Sequence, residues 1–338
     1  MPPESPSVSV VIVNYNGAPL LDACLDSIRR QDYHPLELIV VDNGSVDESV
    51  QLVRSKFPDV RLLAQDHNLG FAEGNNVGVR AAQGTYVVLL NNDTEVTPGW
   101  IQGLLHQFKD PRIAVVTSRV VTDGVPEHFY TMNGSLNPLG YNVMRVFDDL
   151  SLVFFAGGAS LMFRREEISQ PFPKEYFLYH EDVQLSWRMR LMGRDIRMAQ
   201  SSIVHHRGSG TTKKQSSAMV TFYQERNKLL NALTLFQAST LLRLLPMFVT
   251  DMLAKTFGSL FMKRKSFVGI VKAYTWCLGN ISWIAGQRRA RQAERRVPDG
   301  EILRFMSGRL IDHEGTVARI INVSSRWYAR LVVLHFHD

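Results

Sequence analysis

Four short runs of β-branched and aliphatic residues mark the first ninety positions, at 8–13, 36–41, 60–64 and 86–90. Each is of strand length and mostly apolar, the pattern of strands covered on both faces of a mainly parallel sheet. Between the first two, Leu20, Leu21, Cys24, Leu25 and Ile28 follow helical spacing, and residues 47–57 do so again before Pro58 stops them. The alternation predicts βαβ units, an α/β fold in which ligands gather at the carboxyl ends of the strands. Those ends read Asn14-Tyr15-Asn16-Gly17, Asp42-Asn43-Gly44-Ser45, Asn68-Leu69-Gly70 and Asn91-Asn92-Asp93. Polar chemistry is therefore expected along one sheet edge.

From about 122 to 150 the pattern weakens around Gly124, Pro126, Gly134, Pro138 and Gly140, which predicts a loop-rich insert over the site. Periodicity returns at 159–163 and in a helix at 181–191. After Asn231 the chain turns to long apolar helices with basic punctuation, so the expected division is a catalytic domain at 1–231 and a helical, basic extension at 232–338. Apolar pairs from Leu241 to Phe257 recur at helical spacing before Lys263-Arg264-Lys265, with Pro246 expected to kink the helix or start another. Residues 267–285 approach the length of a bilayer span, but Lys272 and Asn280 interrupt them, and Trp276 and Trp283 suit an interface. The reading is a helix that lies on the membrane, with Arg288–Arg296 against anionic lipid.

Composition narrows the class. The 338 residues, 45% apolar and 21% charged, suffice for one substantial core and an appendage. Two cysteines, Cys24 and Cys277, make neither a disulfide framework nor a zinc set, and the first six residues lack the features of a secretory signal. Those features fit a reducing cytoplasm. The net charge of +6 is concentrated late and lacks stacked aromatics, which argues against a nucleic-acid partner.

The strand ends supply candidates for a nucleotide and a metal. Asp42 is placed to accept from a pyrimidine imide N–H, with Asn14 and Tyr15 framing the base, although an aspartate in Asp-Asn-Gly-Ser is also a common turn residue. Asp93 follows a strand directly, where carboxylate oxygen suits Mg²⁺ or Mn²⁺ on phosphate; a helix N-cap would look the same. Asp182, in His180-Glu181-Asp182 at a helix start, is either a general base for a hydroxyl or a residue complementing the helix dipole. His205 and His206 offer an imidazole ligand, and Arg226 either a phosphate clamp or an ion pair.

Taken in order, Val10 to Gly17, Val41 to Ser45, Asn68 to Asn76, Asn91-Asn92-Asp93 and His180-Glu181-Asp182 resemble family 2 glycosyltransferases, closest to the rhamnosyltransferase-like branch, over about residues 7–230. The resemblance implies a GT-A fold and a metal-dependent inverting transfer from a nucleotide-diphosphate sugar to a glycan or lipid-linked hydroxyl, in bacterial cell-surface polysaccharide assembly at the cytoplasmic membrane face. It assigns Asp42 to the base, Asp93 to the metal and Asp182 to the acceptor proton. Asn14, Tyr15, Asn68, Gly70, Asn92 and Arg226 are expected around the donor. His206 is preferred to His205 because the Gly208-Ser209-Gly210 stretch follows it more closely. Where many relatives carry two aspartates in a DXD element, this chain has Asn91 and Asn92 before Asp93, which implies weaker metal binding. The rival enzyme class is a nucleotidyltransferase acting on a sugar phosphate, but residues 14–17 are not a glycine- and lysine-rich phosphate loop. A binding protein without catalysis would not need Asp93, Asp182 and a histidine together.

Overall fold

The computed structural model describes residues 6–122, 135–143, 149, 151–207, 217–262, 266–310 and 315–332. The alternating half consists of β1 (Val8–Asn14), α1 (Ala18–Arg29), β2 (Leu36–Asp42), α2 (Ser49–Lys56), β3 (Arg61–Ala64), α3 (Gly70–Ala81) and β4 (Tyr86–Asn91). It continues through β5 (Thr94–Val96), α4 (Trp100–Gln107), β6 (Ile113–Thr122), β7 (Ser160–Arg164), α5 (Glu181–Leu191) and β8 (Asp195–His206). These strands form one sheet in the order β3-β2-β1-β4-β7-β6-β8-β5. The β3-β2-β1-β4 part is parallel, as its apolar runs predict, while β7 and β5 enter antiparallel.

Alternation along β1 divides the core. Val11 and Val13 point into one apolar cluster with α3 and α5 residues and Cys277, and Val8, Val10 and Ile12 into another with α1 and α4. Helix α3 lies unusually close to the sheet. A methyl group on Gly78 would stand 2.2 Å from a Val11 side-chain carbon and one on Gly74 2.9 Å from Val13, so the repeat of glycine every fourth residue sets the approach.

Six helices follow: α6 (Ser217–Leu235), α7 (Ala238–Met262), α8 (Phe267–Gly279), α9 (Ile281–Glu294), α10 (Asp299–Leu303) and α11 (Thr316–Leu331). The boundary expected after residue 231 falls inside α6. Beyond it, Cys277 and Ile284 join the core of the sheet, with Trp276 and Trp283 packed against it, and a third cluster joins Phe154, Trp187, Phe236, Leu244, Met306 and Ala329. Helix α7 continues through Pro246 rather than breaking there.

Two expectations about the extension change. Trp276 and Trp283 stack edge to face at 5.7 Å and lie half-buried against the core of the sheet. Within 288–296, Arg288 donates to the carbonyl oxygens of Leu233 and Phe236 at the end of α6, Arg291 pairs with Glu294, and Arg295 pairs with Asp299. These three guanidinium groups satisfy helix-end carbonyls and nearby carboxylates, while Arg289 and Arg296 are exposed. Among the described residues no helix is long and apolar enough to cross a membrane. Of the expected insert, residues 123–134, 144–148 and 150 lie outside the described residues, as do Lys263-Arg264-Lys265 and Gly208-Ser209-Gly210. The described part, 135–143, docks on the C-terminal helices: Leu136 bridges to Met306, Asn137 Nδ2 donates to Arg309 O, and Tyr141 Oη donates to Asp251.

Candidate active site

Strand register brings the first three candidates together. Asn14 and Asp42 are direct partners across β1 and β2, and both are buried. Asn14 Nδ2 donates to Asp42 Oδ2 (3.1 Å), and Asn92 Nδ2 donates to Asn14 Oδ1 (2.7 Å). The polarity of this stack follows from Asp42. A carboxylate only accepts, so Asn14 must turn its amide nitrogen toward it, and the Asn14 oxygen then requires a donor, which Asn92 supplies. An aspartate at 92 would set two acceptors against each other. Asn92 is thus part of this chain's buried network. Gly17 completes the close packing: a methyl group there would lie 2.5 Å from Asn92 Nδ2.

Around the stack, Asp42 Oδ1 accepts from Ser45 N and Asn16 N donates to Ser45 Oγ, folding the two strand-end loops onto each other. Tyr15 stands partly exposed beside them. Asn68 Oδ1 accepts from Gly70 N (2.8 Å) and so opens the turn into α3. Gly70 has φ +82, and a methyl group there would strike Phe177 at 2.5 Å, so only glycine fits. Asn68 and Gly70 therefore shape the site's wall.

Next to the stack, β5 pairs with the end of β8, with Thr94 opposite His206, and Asp93 O accepts from Arg207 N. His206 Nε2 lies 3.1 Å from Asp93 Oδ1, whereas His205 is exposed and pairs with Glu95 across the ladder. Asp93 Oδ1 is buried and accepts no hydrogen bond in spite of that neighbour. Two ligand atoms each about 2.1 Å from a divalent cation and at right angles stand about 3 Å apart, so an orphaned carboxylate oxygen beside an imidazole nitrogen fits a cation. Among the described residues no group of three or more His, Cys, Asp or Glu could hold one. The pair would thus supply two ligands and leave the others to a diphosphate.

The third component is the start of α5. Asp182 Oδ2 accepts from Gly158 N (2.9 Å) and Oδ1 from Val183 N (2.7 Å). Ala159 O in turn accepts from Asn91 N, two residues before Asp93, so the 157–159 segment ties Asp182 to the end of β4. Desolvation raises the Asp182 carboxyl above the ordinary aspartate range. Burial, and then the charge of Asp182, push Glu181 up to about 8. Its Oε2 is buried without a hydrogen-bond partner.

Arg226 differs from its expected role. It is buried, its guanidinium lies 4.8–4.9 Å from the ring centres of Phe222, Tyr223 and Trp276, and Nη2 donates to the carbonyl oxygen of Tyr176. Its Nε donates to Asn227 Oδ1 (2.9 Å), so these hydrogen bonds go to the 175–176 backbone and to Asn227 rather than to the strand ends. Its neighbour Asn227, absent from the sequence reading, donates through Nδ2 to the carbonyl oxygens of Tyr176, Leu178 and Tyr179 at 2.8–2.9 Å, and Asn231 to that of His180. Together they hold the turn in which Phe177, Tyr179 and His180 all have positive φ, immediately before Glu181 and Asp182. No local signal identifies such a support, because its acceptors lie some fifty residues upstream.

This arrangement, a mixed sheet with polar strand ends and C-terminal helices, is the GT-A fold. The model of glycosyl transferase family 2 matches residues 9–170, just under half of the chain. It is 30% identical over 215 residues to a pre-mycofactocin glycosyltransferase of Mycobacterium tuberculosis, covering 61% of this chain and 44% of the relative, so the chain spans under half of that protein's length. It is 25% identical over 248 residues to an N-acetylglucosaminyl-diphospho-decaprenol L-rhamnosyltransferase of the same organism, covering 64% of this chain and 81% of the relative. Among solved structures, the Pyrobaculum calidifontis mannosyltransferase PcManGT, in complex with GDP-Man and Mn²⁺, aligns with a TM-score of 0.51 at 17% identity over 98% of this chain and 87% of that one. S. aureus TarS 1–349 aligns with a TM-score of 0.53 at 15% identity over 96% of this chain and 88% of that one.

Proposed function

We propose that the chain is an inverting, metal-dependent glycosyltransferase. It moves a sugar from a nucleotide diphosphate to a hydroxyl of a glycan or lipid-linked acceptor, in cell-surface polysaccharide assembly at the cytoplasmic face of a bacterial membrane. The observation that carries the reading is the meeting, at one sheet edge, of the Asp42–Asn14–Asn92 stack, the Asp93–His206 pair and Asp182. The relatives' activities support the reaction class.

In this reading the floor of the base site is the Asn14–Asp42 pair, and Asp93 and His206 hold the cation. When bound, the cation neutralises charge on the departing diphosphate. The acceptor oxygen attacks the anomeric carbon from the face opposite the leaving group and its proton passes to Asp182. The bond from that carbon to the phosphate oxygen breaks with its electron pair, so configuration inverts in one displacement. Asp182 retains unshared lone pairs beyond its two backbone hydrogen bonds, and its raised pKa makes it a stronger base.

The test is a screen of UDP-, dTDP- and GDP-sugars with Mg²⁺ or Mn²⁺, with products resolved by chromatography. The expected product is free nucleoside diphosphate, with metal-dependent donor binding lost in Asp93→Ala. Release of pyrophosphate instead would favour the nucleotidyltransferase reading.

A further inference from the structure

Exposed apolar side chains that the catalytic reading does not use form stripes on α7 and α11. On α7, Leu242, Leu245, Val249, Leu253, Phe257 and Leu260 are exposed; Leu242 is 71% and Phe257 60% accessible. At 100° per residue these six fall within about 60° of one line along the helix, a stripe roughly 27 Å long. On α11, Ile320, Val323, Trp327 and Leu331 form a second stripe, with Trp327 66% accessible.

Helix α7 backs onto the third core cluster through Leu244 and Met247, and α11 backs onto it through Ala329, in each case on the side opposite its stripe. The two helices touch where Tyr328 Oη donates to Arg243 O (2.6 Å). Each stripe therefore lies on the outer side of its helix, away from the cluster they share.

Charge indicates the occupant. Arg243 and Arg319 are exposed beside the stripes. Helix α11 contains no acidic residue, and the single one of α7, Asp251, is engaged by Lys255 and Tyr141. Against a second copy of this face, arginine would meet arginine with no carboxylate to offset it. Against an anionic bilayer, each basic residue adds attraction while leucine, phenylalanine and tryptophan enter the acyl boundary. We infer that the α7–α11 face is a docking surface for an anionic lipid bilayer. It stands apart from the 267–296 stretch, whose tryptophans and arginines are largely committed internally. The inference is independent of the donor chemistry, since docking is measured without donor.

The test is co-flotation of the full chain with vesicles of phosphatidylcholine alone or with phosphatidylglycerol added, at low and high salt, for wild type, Leu253→Glu, Trp327→Glu and the double variant Arg243→Gln/Arg319→Gln. All are surface changes, and thermal midpoints verify that each variant is folded. We expect wild type to float with phosphatidylglycerol vesicles at low salt only. Each glutamate variant should lose most of that binding, and the double arginine variant should lose about tenfold or more. Equal partition into both vesicle types, no flotation at low salt, or full binding by folded variants would overturn the inference. So would a dimer by light scattering that Leu253→Glu dissociates while vesicles are ignored.

Discussion

Glu181 and Asp182 are adjacent carboxyl groups at a helix start, and their surroundings divide them. Asp182 takes two backbone N–H donors, whereas Glu181 is buried with an oxygen that has no hydrogen-bond partner. Burial therefore holds the Glu181 proton up to about 8, and Asp182 is left to carry negative charge. The sign of the consequence is fixed. In the unfolded chain the Glu181 carboxyl titrates near 4.5, so between that pH and about 8 unfolding releases a proton and stability falls as pH rises, levelling off above. Glu181→Gln keeps the shape and removes the titration. Denaturant midpoints measured from about pH 5 to about pH 8 should decline less in the variant than in wild type. Identical profiles would show that Glu181 is ionised in the folded protein. The His-Glu-Asp motif was legible in the sequence; the division of roles within it was not, because it depends on what the fold packs over each side chain.

Elements that the sequence announced plainly are those whose strands are apolar on both faces, β1, β2 and β4, and their ends gave Asn14, Asp42 and Asp93 at once. Less visible was α3, whose Gly70, Gly74 and Gly78 weaken helix propensity and make sense only against Val11 and Val13 of the sheet. The full extent of β8 was less visible as well: it spans Asp195–His206, and Asp195, Arg197, Gln200 and Ser201 interrupt the apolar pattern ahead of Ile203 and Val204. Arg226 was misjudged because a cation on a helix looks solvent-facing until α8 brings Trp276 over it. At this scale α6 acts as the support for the turn before Asp182. Asn227→Ala leaves three carbonyl groups without their common donor and should cost about 1–3 kcal/mol of stability. As a positioning residue, Asn227 should also affect kcat more than donor affinity. A loss of stability with kcat unchanged under saturating donor would reduce its role to folding alone.

Across the whole molecule, the sheet edge and the C-terminal helices form one connected body. Helix α6 holds the 175–180 turn on one side, and α8 and α9 pack against α6, so the helices expected as a separate extension buttress the catalytic turn. The sequence could not show this, since an apolar helix face reads alike whether it meets lipid, a partner or its own domain. The account's central claim is that this body brings a general base, Asp182, to the acceptor hydroxyl at a nucleotide-sugar site. Its most direct test is single-turnover kinetics of Asp182→Asn against wild type at saturating donor, with donor affinity measured separately. The account predicts a rate lowered by about 10²-fold or more with donor affinity within about twofold of wild type; turnover at the wild-type rate would contradict it.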